Sequence, residues 1–94
     1  EHRGALLDTG ENSLVFGGEK ITLTKNEYRI LLCLMENKGK GVSREKLMER
    51  LWETDAFVDE NTLTVNVNRL RKKLDAAGLK EFIATKFGVG YIIA

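Results

Sequence analysis

The stretch ENTLTVNVNRLRKKL, Glu60 to Leu74, decides the fold, because its apolar residues obey two periodicities at once. Taken as a strand, Leu63, Val65 and Val67 alternate with Thr64, Asn66 and Asn68, but the pattern covers too little of the segment. Taken as a helix, Leu63, Val67, Leu70 and Leu74 make one stripe, and RLRKKL and the stop at Gly78 are accounted for as well. The helix is therefore expected over Asp59 to Ala76. Asp59, Glu60 and Asn61 then sit at its positive end, and Arg71, Lys72 and Lys73 near its negative end, as the macrodipole favours. Opposite the leucine stripe fall Asn61, Val65, Asn68, Arg69 and Lys72, with Thr62 and Thr64 flanking them. One reading of this face is a solvated surface with a stray valine. The other is a reading head: amides pair with adenine, arginine with guanine or a phosphate, and valine with a thymine methyl.

Working outward, Thr24 followed by Glu27 and the run YRILLCLM has the capping-box pattern, and places an apolar central helix over about Lys25 to Asn37. KGKG ends it, and Ser43 caps a second helix, REKLMERLW, with Leu47, Met48, Leu51 and Trp52 on one side. An acidic connection, ETDAFVDE, leads into the third helix. Before the first helix, ALL, LVF and KITL are separated by DTGENS and Gly17-Gly18, an antiparallel meander with a two-glycine hairpin. After the third, EFIATK and YIIA flank FGVG as a closing hairpin. Short helix, brief connection, longer basic-ended helix and glycine-tipped hairpin together describe a helix-turn-helix with a wing.

The 94 residues, 43% hydrophobic and 31% charged, suit one globular domain with a modest core. The net charge of +1 means that attraction to nucleic acid must come from clustering, not from the total. No apolar run approaches a membrane span and the N-terminal residues show no charged-then-apolar signal pattern, so a cytoplasmic setting is expected, without membrane partners. Cys33, the single cysteine, lies in ILLCLM and reads as a packing residue. Catalysis finds no support: His2 is the only histidine, no nucleophile has a base beside it, and neither GVG nor GKGVS has the spacing of a nucleotide-binding loop. The acidic connection does not match a calcium loop, since Phe57 and Glu60 fall where an oxygen ligand and glycine are required. No metal or other cofactor is expected. A winged helix that binds protein rather than DNA remains the rival, because the fold serves both.

The segments LTKNEYRILLCLMENKGKGVSREKLMERLW, FVDENTLTVNVNRLRKKL and TKFGVGYII, behind the N-terminal meander, resemble the C-terminal effector domains of OmpR/PhoB-type bacterial response regulators. The wording of DENTLTVNVNRLRKKL looks most like Gram-positive regulators of the bacitracin and antimicrobial-peptide-sensing type. The resemblance implies an α+β fold: an N-terminal four-stranded antiparallel sheet, three helices and a C-terminal β-hairpin wing, filling residues 1–94. It further implies a receiver domain upstream, phosphorylated by a sensor kinase, and transcriptional control of envelope-stress or resistance genes through tandem sites on double-stranded DNA bound by two copies. By position, Asn61, Thr64, Val65, Asn68 and Arg69 correspond to base contacts. Arg44, Thr62, Arg71, Lys72 and the wing's Lys86 correspond to backbone contacts. Asp55 and Phe57 fall in the loop associated with RNA polymerase. Two departures stand out: relatives often have arginine where Asn61 and Asn68 stand, which shifts the preference toward A·T-rich sites. In the wing, Lys86 precedes Phe87 where the family's large or basic residue comes one place later, so the base points differently along the strand. Phe87 and Tyr91 are expected to pack.

Overall fold

A computed structural model describes residues 4–8, 10–53 and 58–93. β1 (Leu6–Asp8), β2 (Ser13–Phe16) and β3 (Glu19–Thr22) form an antiparallel sheet in the order β1-β2-β3. Gly17 and Gly18 have φ of 61° and 81°, the pair of positive values that a two-residue hairpin demands, and they set Phe16 opposite Glu19. Leu7, Leu14 and Ile21 lie abreast, and Leu14 is fully buried against the helices. The expected four-stranded sheet is thus a three-stranded one among the described residues. Ahead of β1 the chain turns at Gly4, where φ is 80°, and Ala5 makes only an isolated bridge.

α1 (Lys25–Glu36) starts at a complete capping box: the Glu27 amide donates to Thr24 Oγ1 at 3.2 Å and the Thr24 amide to Glu27 Oε1 at 2.9 Å. It buries Tyr28, Ile30, Leu31, Cys33 and Leu34, and Asn37 caps its end. α2 (Arg44–Trp52) runs from the Ser43 cap and buries Leu47 and Leu51, with Met48 partly covered. Trp52 does not join that apolar side. As the last helical residue it is 51% exposed, and its indole N–H donates to the Val58 carbonyl at 2.8 Å. α3 (Glu60–Ala76) buries Leu63, Val67, Leu70 and Leu74, the stripe that separates the helical reading from the strand reading. It stops in a Schellman arrangement: Gly78, with φ 96°, donates to Asp75 O at 3.0 Å and Leu79 to Leu74 O at 2.9 Å.

The closing hairpin, β5 (Ile83–Lys86) and β6 (Gly90–Ile93), gains a third strand that the sequence reading did not foresee, β4 (Val42–Ser43), in the order β4-β6-β5. Two residues between Gly41 and the first residue of α2, the second of them the helix cap, show no alternation, so β4 is defined by its partner alone. Val42 lies opposite Tyr91 and Ser43 opposite Gly90. A Cβ at Gly90 would stand 2.1 Å from the Val42 carbonyl oxygen, so only glycine lets β4 approach this closely. Because β4 runs straight into α2, the wing and the helix pair form one hydrogen-bonded frame.

Candidate nucleic-acid interface

α3 presents Asn61, Val65, Asn68, Arg69 and Lys72 to solvent along one stripe, opposite its buried leucines. Val65 is 38% exposed at mid-helix, the one apolar side chain on this stripe. Among the described residues, Arg69 and Lys72 have no hydrogen bond or ion pair. They are side chains with their charges still to be used.

The other two basic residues of the cluster point elsewhere. Arg71 turns toward the wing, where Nε donates to Ile83 O at 3.2 Å and Nη2 to Thr85 Oγ1 at 2.7 Å. Lys73 reaches the opposite side, donating to Thr22 O at 3.0 Å and Glu27 Oε1 at 2.6 Å. Four cations that look like one patch in sequence therefore serve three surfaces. A helix turn of about 100° per residue allows this separation, but partners 12 and 46 residues away leave no local signature.

Thr62 lies in the N-cap: its amide and hydroxyl both donate to Asp59 Oδ1, at 2.7 and 2.8 Å. Those bonds hold the Asp59 carboxyl below its ordinary pKa. Thr64 donates to Glu60 O at 3.0 Å and accepts from Arg44 Nη2 at 2.7 Å. Arg44 also donates to Glu60 O at 3.0 Å and, through Nη1, to the Tyr91 hydroxyl at 2.6 Å. Both guanidinium groups lie over the Tyr91 ring, Arg44 at 5.6 Å and Arg71 at 5.3 Å from its centroid. Tyr91, as expected, packs, and is 5% exposed. Asn66, on the buried side, donates to Thr62 O at 2.9 Å and so leaves no amide orphaned.

The wing tip departs from expectation at Phe87, which is 94% exposed. Lys86 pairs with Gly90, so residues 87–89 lie beyond the sheet, and Gly88 at φ 79° turns the chain with nothing behind it. Lys86 is exposed beside it, and Val89 is half-exposed. A cleft of about 340 Å³ separates the tip from α2 and α3, bordered by Ser43, Arg44, Glu60, Lys86 and Tyr91. Asp55 and Phe57 lie outside the described residues. Neither a cluster of metal-ligating side chains nor a helix long and apolar enough to cross a membrane occurs among the described residues.

The family model of the C-terminal domain of transcriptional regulatory proteins matches residues 18–93. The sensory transduction protein BceR of Bacillus subtilis is 54% identical over 89 residues, covering 95% of this chain but 38% of that protein, so the chain spans little more than a third of that curated relative. The C-terminal domain of the nisin resistance regulator NsrR, described as a lantibiotic response regulator, superposes with a TM-score of 0.87 at 40% identity, over 99% of this chain and 93% of that one. The DNA-binding domain of the response regulator AdeR, solved in complex with an intercistronic region, gives 0.85 at 27% identity, over 99% and 95%.

Proposed function

The chain belongs to the family of transcriptional regulatory C-terminal domains, the DNA-binding output domains of OmpR/PhoB-type response regulators, and from that membership we propose that it reads double-stranded DNA with α3 in the major groove and the wing beside it. The observation that carries the reading is the exposed stripe Asn61, Val65, Asn68, Arg69 and Lys72, mostly polar and cationic, on the outward side of a helix whose other side buries Leu63, Val67, Leu70 and Leu74. In this reading Asn61, Asn68 and Arg69 address base edges, Val65 meets a thymine methyl, and Lys72 and Lys86 meet phosphates. Thr62 and Thr64 flank this stripe, with their hydroxyls bonded to Asp59 and to Glu60 and Arg44 inside the domain. Arg44 and Arg71 act chiefly by holding the interface together, since several of their donors are bonded inside the domain.

The wider setting belongs to the same proposal. A receiver domain and its sensor kinase, tandem operator sites occupied by two copies in the cytoplasm, and polymerase contact through Asp55 and Phe57 complete the proposal. Control of antimicrobial-peptide resistance is supported by the likeness to the nisin resistance regulator.

A selection from random duplex DNA at two salt concentrations tests it. Enrichment of a repeated half-site about one helical turn apart is expected. With Lys72 and Lys86 on phosphates and Arg69 adding a third cation to the interface, log affinity should fall against log salt with a slope of about −2 to −3 for one copy. A folded domain with no enrichment and no salt dependence would instead be a protein-binding winged helix.

A further inference from the structure

We propose that Tyr91 is a positioning residue for DNA reading: it sets the distance and angle between α3 and the wing, and so the separation at which both can engage one duplex. The inference rests on the DNA-binding reading above. Its structural ground is that α3 is tied to the β5–β6 hairpin at two separate points that meet at one ring. Near the helix start, Arg44 joins Thr64 Oγ1 and Glu60 O to the Tyr91 hydroxyl. Two turns later, Arg71 joins α3 to Ile83 O and Thr85 Oγ1 on the neighbouring strand. The two guanidinium groups lie 5.6 and 5.3 Å from the ring centroid.

Thr64 and Arg71 are seven residues apart, about 10 Å along the helix axis. The β4 pairing anchors the base of the hairpin, and two ties that far apart fix its direction relative to α3. Backbone pairing sustains the position of the ring, because Tyr91 lies opposite Val42 on one side and Thr85 on the other. Beyond Thr85 the tip carries exposed Lys86, Phe87 and Val89, so its placement is inherited from this junction. Arg44 and Arg71 are the charges that a search for phosphate contacts selects first. In the folded domain they spend their donors on geometry.

The test compares the parent chain with Tyr91→Phe, which keeps the ring and removes the acceptor for Arg44, and Tyr91→Leu, which also removes the surface under both guanidinium groups. Each is used in a random-duplex selection and in a double-mutant cycle on the selected duplex, pairing Asn68→Ala on α3 with Lys86→Ala on the wing. In the parent the two losses are expected to be non-additive. In Tyr91→Phe they should approach additivity, within about twofold, while bases specified by α3 stay enriched and wing-side positions broaden. A role in folding alone would lower affinity evenly and leave the coupling intact. Circular dichroism and thermal melts identify a variant that fails to fold, and if Tyr91→Leu does so, Tyr91→Phe decides. Additivity already present in the parent, or coupling unchanged in a folded Tyr91→Phe, overturns the inference and leaves DNA binding standing. A parent that selects no sequence at all removes both.

Discussion

Val65 and Arg69 are one helical turn apart on the outward face of α3, and their chemistries predict different losses. Val65→Ala removes apolar contact alone, so preference should relax at one or two base positions while affinity for random duplex stays the same. Arg69→Ala should weaken specific binding by about 1–3 kcal/mol if it makes a bidentate contact. Fluorescence anisotropy on selected and scrambled duplexes separates the two; equal, uniform losses would sink the division of labour. The exposure of these residues was legible in the sequence, because the leucine stripe determines which side remains for solvent. The use of Arg44 and Arg71 was not, since their partners Tyr91 and Thr85 lie 47 and 14 residues away. A charge count cannot distinguish a guanidinium aimed at solvent from one already spent. At Cys33 sequence and structure agree. The thiol is buried in the core, and burial, opposed by Arg50 and Lys46, pushes its pKa up, which leaves little thiolate for oxidation or exchange.

Secondary-structure elements with both a periodic stripe and a chemical stop are legible in the sequence, and those defined by a partner are not. α3 has its leucine stripe, its Asp59 cap and the Gly78 stop, whereas β4 is two residues long and exists because β6 pairs with it. The Asp59 cap leads to a pH prediction. Its folded pKa is depressed by the bonds from Thr62, so its stabilising contribution is complete above the unfolded value of about 4 and is lost as pH falls through the lower folded value. Asp59→Ala should therefore lower the melting temperature clearly at pH 7 and by progressively less as the pH drops below 4. At Gly90 the prediction is steric. Gly90→Ala drives a methyl into the Val42 carbonyl and must separate β4 from β6, at a cost of about 3 kcal/mol or more, measurable as a lower urea midpoint. Gly88→Ala has open space around it but must hold φ at 79°, and should cost about 1 kcal/mol.

Across the whole molecule, the junction between the two ends of the fold is the pair Glu27–Lys73. Glu27 is 1% exposed, yet it closes the α1 capping box and accepts from Lys73 in the last turn of α3, while Lys73 also bonds the end of β3. The capping role was legible from Thr24 and Glu27 three residues apart; the ion pair, spanning 46 residues, was not. Lys73→Met should leave the buried carboxylate without its countercharge and destabilise the domain by about 1–3 kcal/mol, the lower end reflecting the partly solvated ammonium. Glu27→Gln in the same background should recover part of that loss, and chemical denaturation of the two variants checks both. The three-way division of the α3 cations has a consequence for how such a domain searches a genome. With Arg71 and Lys73 bonded within the domain, α3 keeps Arg69 and Lys72 as the cations that random duplex can use, so a single copy should leave such duplex quickly. If two copies must then meet on adjacent half-sites, promoter occupancy rises with the square of their concentration. Weak grip on any one stretch of DNA becomes a threshold, below which the operator is empty and above which it fills.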